Sequence, residues 1–185
     1  KGDRVFGFDD LGLQTHAEYA AIDQKKAIAL IPDGIDFDTA AASIEGAHYA
    51  YNYIRKLDFK SGQRVMLNGA TGAIGNAALQ IMKSMGIHVI ATCPGNKFDL
   101  IQSLGAEKTI DYQKEDFTQL KEEFDFVFDS VGKSRFSACK KNLKPGGIYI
   151  SSELGPGSEN LYLPTTTAIF AKKKVKFPVP GDIPA

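Results

Sequence analysis

Between residues 64 and 152 the chain alternates between two textures. Short apolar runs bounded by turn residues, "RVMLN", "HVIATC", "EKTIDY", "FDFVFDSVG" and "GIYISS", predict five strands. Within them "VML" and "VIA" are wholly apolar, the pattern of strands buried on both faces of a parallel sheet. The segments between, "AIGNAALQIMKSM", "NKFDLIQSLG", "DFTQLKEE" and "SRFSACKKNL", predict helices, the third of them weak. Gly105 closes the second and "KPGG" stops the fourth. Strands alternating with helices predict an α/β fold, an open and doubly wound parallel sheet.

The first 34 residues have a different texture. "RVFGF", "HAEYAAI" and "AIALIP" predict short β-strands separated by polar turns. After the break "DGIDFD", Asp38 is placed to cap the helix predicted over "TAAASIEGAHYAYNYIRKL", with a hinge at Gly46. "ELGPGSENLYLPTTT" follows the fifth strand and predicts an irregular loop near a site. Both ends of the chain fall beside strand-like patterns, and the sequence reads as a piece of a longer protein.

Composition narrows the classes. The 22 basic and 22 acidic side chains cancel, which points to neither nucleic acid nor a membrane surface as partner. No apolar run approaches the roughly 18 residues of a membrane helix. Cys93 and Cys139 form no CxxC pair, so a disulfide framework or zinc knuckle is not expected, and a reducing cytoplasm is. His16, His48 and His88 are isolated and lack metal-ligand spacing.

The chemistry concentrates in "NGATGAIGN". The pattern is Ala70-x-Gly72-x-x-Gly75, with alanine in place of the first glycine of GxGxxG. It follows a predicted buried strand and opens a predicted helix, the context of a Rossmann-type dinucleotide turn. Small residues at Ala70 and Thr71 suit a tight turn. The missing side chain at Gly72 lets a pyrophosphate approach the backbone, and Gly75 lets helix and strand pack closely. The amides of Ala73 and Ile74, at the positive end of the helix, would hold the phosphates.

A site for NAD usually has an acid at the end of the second strand. Here that strand runs into "ATCPGNK", with Lys97 and no acid before Asp99. A lysine there favours the 2′-phosphate of NADPH. The missing acid also argues against a methyltransferase, and no tyrosine has lysine at the Tyr-x-x-x-Lys offset of short-chain reductases.

With "GDRVFGF", "GQRVMLNGATGAIGNAALQ", "SLGAEKTIDYQKEDF", "FDFVFDSVGKSRF" and "LKPGGIYIS" in view, the chain resembles the medium-chain dehydrogenase/reductases, on their zinc-free, quinone-oxidoreductase-like side. The resemblance implies that residues 1–37 are the tail of a truncated GroES-like catalytic domain. Residues 38–185 would be the dinucleotide-binding domain. It implies hydride transfer from NADP(H) to a quinone or an α,β-unsaturated carbonyl, and a homodimer formed through the sheet edge near "KKVKFPVP". Lys97 and, 15 residues on, Tyr112 keep the family's spacing around the 2′-phosphate. Cys93, Pro94 and Gly95 would line the adenosine. Ser130, Val131 and Gly132 would approach the ribose nearest nicotinamide, Ser151 and Ser152 would lie near that ring, and Phe177 would close over it. The four-cysteine zinc lobe is missing, as is the catalytic zinc's cysteine near residues 45–47, so no metal is expected. The family's threonine beside the nicotinamide is replaced by Tyr49. Tyr49 and Tyr51 are the only candidates for a substrate-facing donor. A zinc-type alcohol dehydrogenase homologue and a non-catalytic NADPH-binding module remain alternatives.

Overall fold

The computed structural model describes residues 2–8, 17–23, 25 and 28–178. In chain order the elements are β1 (Val5–Gly7), β2 (Ile28–Leu30), α1 (Phe37–Arg55), β3 (Arg64–Asn68), α2 (Ala73–Ser84) and β4 (His88–Cys93). Then come α3 (Phe98–Ser103), β5 (Lys108–Asp111), β6 (Phe124–Asp129), α4 (Phe136–Cys139), β7 (Leu143–Ser151), α5 (Glu159–Phe170) and β8 (Lys174–Lys176). β1 and β2 pair antiparallel as a separate ribbon. The other six strands form one sheet in the order β5-β4-β3-β6-β7-β8, and every pairing is parallel. The chain winds outward from β3 to β5, crosses back to β6, and winds outward again. The switch point lies between β3 and β6, where Asn68 pairs with Asp129.

Successive strand residues point to opposite faces, and both faces are covered. Val65 and Leu67 of β3 join Tyr53 and Ile54 of α1, Leu79 and Met82 of α2 and Ile101 of α3 in one core. Met66, one residue between them, joins Phe117, Val127, Phe136, Leu143 and Tyr149 in the other. This is the doubly wound α/β architecture that the strand pattern predicts. Among the described residues no helix is long and apolar enough to cross a membrane.

Several local expectations need correction. "HAEYAAI" forms no strand over its described residues 17–23, which are exposed and have no described strand beside them; His16 lies outside the described residues. The N-cap of α1 is Asp36, whose carboxylate accepts from the Thr39 amide at 2.6 Å, while Asp38 lies within the first turn. That bond, first among the causes, holds the Asp36 carboxyl below its ordinary value. α1 runs unbroken through Gly46, because Gly46 is the point where α1 crosses α2. A Cβ there would stand 2.5 Å from the Ala73 carbonyl oxygen. "DFTQLKEE" gives only a 3-10 turn at Phe117–Gln119, and "SRFSACKKNL" divides into α4 and a 3-10 turn at Lys140–Asn142. The expected loop "ELGPGSENLYLPTTT" contains a 3-10 turn and most of α5, and β8 adds a sixth strand to the sheet.

The amino-terminal ends of the strands are tied by ion pairs. Glu122 binds Arg64 of β3 and reaches Lys108 of β5 at 3.2 Å. Asp125 of β6 accepts from the Arg64 amide at 2.8 Å and from Lys144 of β7 at 2.8 Å. The hydrogen bond from Arg64 holds the Glu122 carboxyl below its ordinary value of 4.5, outweighing a smaller opposing effect of burial.

Two outcomes follow. Gly46→Ala should lower stability by about 1–3 kcal/mol, because a backbone carbonyl rather than a flexible side chain must yield. Denaturant titration measures this, and an unchanged midpoint would contradict the close crossing. Because the folded Glu122 value is depressed, its contribution is full above 4.5 and is lost as pH falls through the folded value. The stability gap between wild type and Glu122→Gln should therefore narrow on acidification below that point, and a gap independent of pH would exclude it.

Candidate cofactor site

The chain leaves β3 at Asn68 and must turn sharply into α2. Gly69 makes that turn at φ 95°, a backbone conformation that side chains with a Cβ rarely adopt. The tight-turn role expected near Ala70 thus belongs to Gly69, while Ala70 is fully buried. Two strands grip the turn. From β4, Thr92 accepts the Gly69 amide on its hydroxyl at 2.8 Å and the Ala70 amide on its carbonyl at 3.0 Å. From the end of β6, the Ser130 hydroxyl donates to the carbonyls of Asn68 at 2.8 Å and Gly69 at 3.3 Å.

The other two glycines have different causes. A Cβ at Gly75 would lie 2.1 Å from the Gly69 carbonyl oxygen, so packing alone demands glycine there. A Cβ at Gly72 would meet nothing closer than 3.5 Å, and its φ of −74° is ordinary. No protein contact requires glycine at that position, and the space beside its Cα can receive a ligand. Gly72 is the N-cap of α2 and has no side-chain capping bond. The first amides of a helix, here those of Ala73 and Ile74, have no acceptor within it. Thr71 and Ala73 are exposed and Ile74 is half-buried, so this helix end is open. Beside it, a cavity of about 420 Å³ is lined by residues of α1, the glycine turn and α2, among them Gly46, Thr71, Gly72 and Asn76.

The expected adenosine side gathers at the ends of β4 and β5. Lys97 ends a 3-10 turn at Gly95–Lys97, directly after β4, and its side chain is exposed. Tyr112 follows β5 and is 53% exposed, leaving its ring available. Cys93 pairs in register with Asp111. Its thiol is fully buried and its pKa is raised, by burial first and then by the Asp111 charge, so only its backbone can face a ligand. An acid from the neighbouring strand does come close to this loop. A Cβ at Gly95 would come within 2.7 Å of the Asp111 carboxylate, a juxtaposition that the linear sequence hides.

The other side gathers at the ends of β6 and β7. Val131 is 36% exposed and its methyl groups cover Gly69, while Gly132, at φ 63°, packs against Glu153. Ser130 is buried and its hydroxyl is spent on the turn. Ser151 is buried, and its hydroxyl accepts from the Glu153 amide at 3.1 Å. The Ser152 Oγ is buried and has no hydrogen-bond partner among the described residues. Such an orphaned hydroxyl is suited to a polar ligand. Phe177 is half-buried and follows β8, whose Lys176 pairs with Ile150 of β7, so it emerges at the same edge as Ser151. The residues therefore fit a dinucleotide: open helix amides at the switch point, flanked by two loops and an orphaned hydroxyl.

The two tyrosines do not converge. Two residues along a helix are about 200° apart, so Tyr49 and Tyr51 of α1 face opposite ways. Tyr49 packs edge-on to Phe8 and His48, and Tyr51 is 46% exposed. His48 stacks on Phe8 with centroids 4.2 Å apart, and His88 pairs with Glu107. Among the described residues no three His, Cys, Asp or Glu side chains cluster to hold a metal.

Comparison with known proteins identifies the lineage. Residues 73–178 match the family model described as zinc-binding dehydrogenase. A 2-methylene-furan-3-one reductase from Solanum lycopersicum is 38% identical over 136 residues, covering 72% of this chain and 34% of that protein. A chloroplastic NADPH-dependent alkenal/one oxidoreductase from Arabidopsis thaliana is 33% identical, covering 73% of this chain and 35% of its own. The crystal structure of an alcohol dehydrogenase superfamily protein from Novosphingobium aromaticivorans superposes with a TM-score of 0.77 at 27% identity, over 95% of this chain and 54% of that one. The chain thus spans about a third to a half of the length of these relatives. It belongs to the zinc-binding dehydrogenase family, within the quinone-oxidoreductase-like medium-chain dehydrogenase/reductases.

Proposed function

We propose that this chain is the cofactor-binding part of an NADPH-dependent oxidoreductase that reduces a quinone or an α,β-unsaturated carbonyl. The observation that carries the reading is the open amino terminus of α2, uncapped at Gly72 and set at the switch point of a parallel sheet. The names of the relatives, a 2-methylene-furan-3-one reductase and an NADPH-dependent alkenal/one oxidoreductase, support the substrate class.

In this reading NADPH, when bound, supplies the hydride, and the chain's own residues hold and orient it. The amides of Ala73 and Ile74 bind the pyrophosphate. Lys97 and Tyr112 meet the 2′-phosphate, and Asp111, buried with its carboxylate toward Gly95, borders the same loop. Val131 packs over the glycine turn, Ser152 offers its unspent hydroxyl to the nicotinamide side, and Phe177 borders it. Residues 1–37, including the β1–β2 ribbon, form the tail of a GroES-like domain that supplies the substrate-side donors; Tyr49 and Tyr51 are left to helix packing. The buried free thiols suit a reducing cytoplasm. Subunits pair through the outer sheet edge, where β8 is the last strand among the described residues and α5 exposes Leu161, Ile169 and Phe170.

Thermal unfolding tests the cofactor. A ligand at about 100 times its dissociation constant adds roughly 2.7 kcal/mol. That should raise the melting point by about 5–10 °C for a chain of this size. NADPH should give the larger shift, NADH a smaller one, and Lys97→Ala should abolish the difference. No shift with either nucleotide would sink the reading. The full-length protein should oxidise NADPH in the presence of a quinone or an enone, and failure with both would exclude this substrate class. Light scattering should report twice the chain mass, and a monomer at micromolar concentration would dispose of the edge-pairing.

A further inference from the structure

A buried polar chain crosses four adjacent strands at their carboxyl ends. Thr92 of β4 donates its hydroxyl to the Asn68 side-chain oxygen at 2.7 Å. Asn68 of β3 donates through Nδ2 to Asp129 Oδ1 of β6 at 3.0 Å. Tyr149 of β7 donates its hydroxyl to Asp129 Oδ2 at 3.3 Å. Thr92, Asp129 and Tyr149 are fully buried and Asn68 is 7% exposed, so none of them is placed to touch a ligand at the surface.

The Asp129 carboxylate has three further donors, all from the loop that follows it. The Ser134 amide reaches Oδ2 at 2.7 Å, and the amides of Val131 and Lys133 reach Oδ1 at 3.4 Å each. One buried carboxylate thus binds the end of β3 and the Tyr149 hydroxyl while drawing residues 131–134 around itself. That loop lays the Val131 methyl groups on Gly69. Among the described residues no hydrogen bond joins the adenosine-side turn at Gly95–Lys97 to Asp129; the nearest member of the buried chain is Thr92, two residues before the loop that follows β4.

We propose that Asp129 is a positioning residue: it sets the loop of residues 130–134 over the glycine turn and so shapes the nicotinamide half of the site, leaving the adenosine half unaffected. The inference rests on the dinucleotide reading above. Its chemistry is specific. The two carboxylate oxygens accept from all five donors. An asparagine of the same shape must turn an NH2 group toward either Asn68 Nδ2 or the Ser134 amide, and donor then faces donor.

The test compares NADPH with 2′,5′-ADP, which carries the adenosine half and its 2′-phosphate but no nicotinamide. Calorimetric titration of the whole chain should show Asp129→Asn binding NADPH at least tenfold more weakly, with 2′,5′-ADP within twofold of wild type. Amide hydrogen exchange should quicken at residues 131–134 and stay unchanged at Gly69 and Ala70. Tyr149→Phe, which removes one donor and keeps the ring in the core, should show the same selectivity at about twofold to fivefold, and it keeps the test available if Asp129→Asn does not fold. Equal weakening of both ligands, or NADPH affinity unchanged in both variants, overturns the proposal alone. A wild-type chain that binds neither compound overturns the dinucleotide reading, and the proposal with it.

Discussion

The first turn of α2 lies almost on top of the end of β3, and much of the carboxyl edge of the sheet depends on that approach. The Gly69 carbonyl occupies the place where a side chain at Gly75 would begin. Because helix and strand are so close, the turn between them has to be made by a residue at positive φ, and its backbone groups must find partners in neighbouring strands. Thr92 and Ser130 provide them from the two sides. Gly72, which has no side chain, leaves the helix amides uncapped at the switch point. An end stripped of acceptors in this way attracts an anion, because unpaired amides and the helix dipole act in one direction.

The two edges of the sheet are held by different physics. At the amino-terminal edge, partly exposed ion pairs join Arg64, Lys108, Glu122, Asp125 and Lys144. Such pairs contribute little individually and weaken with salt and acid. At the carboxyl edge the bonds are buried and run side chain to side chain from β4 to β7. A buried polar group without its partner costs much more than the bond itself contributes. The buried edge is therefore the more exacting of the two, and it is the one that carries the candidate site.

The strands β3 to β7 and the helix α2 were legible because uninterrupted apolar runs and helical spacing are local signals. α5 was not. Gly155, Pro156, Gly157, Pro164 and three successive threonines speak against a helix, and tertiary bonds override them. Thr167 accepts from the Val175 amide of β8 at 3.0 Å, and buried Asn160 donates to the Glu153 carbonyl at 2.7 Å. The strand expected in "HAEYAAI" erred the other way, since β-propensity needs a neighbour to pair with and residues 17–23 have none among the described strands. In the site, the glycine pattern marked the right turn, but residue spacing could not tell a glycine required by φ (Gly69) from one required by packing (Gly75) or by neither (Gly72).

From the sequence alone came the doubly wound class, the nucleotide turn and the family resemblance, because each is written in residues close together along the chain. Tertiary structure alone decided which distant groups meet. It brought Asp111 to Gly95 from the adjoining strand, spent Ser130 on the turn, and left the Ser152 hydroxyl without a partner among the described residues. It also assembled Asn68, Thr92, Asp129 and Tyr149, spread over 82 positions, into one buried chain. The physical reason is that parallel strands align their ends by register across the sheet, and the order of strands in space is not their order in sequence.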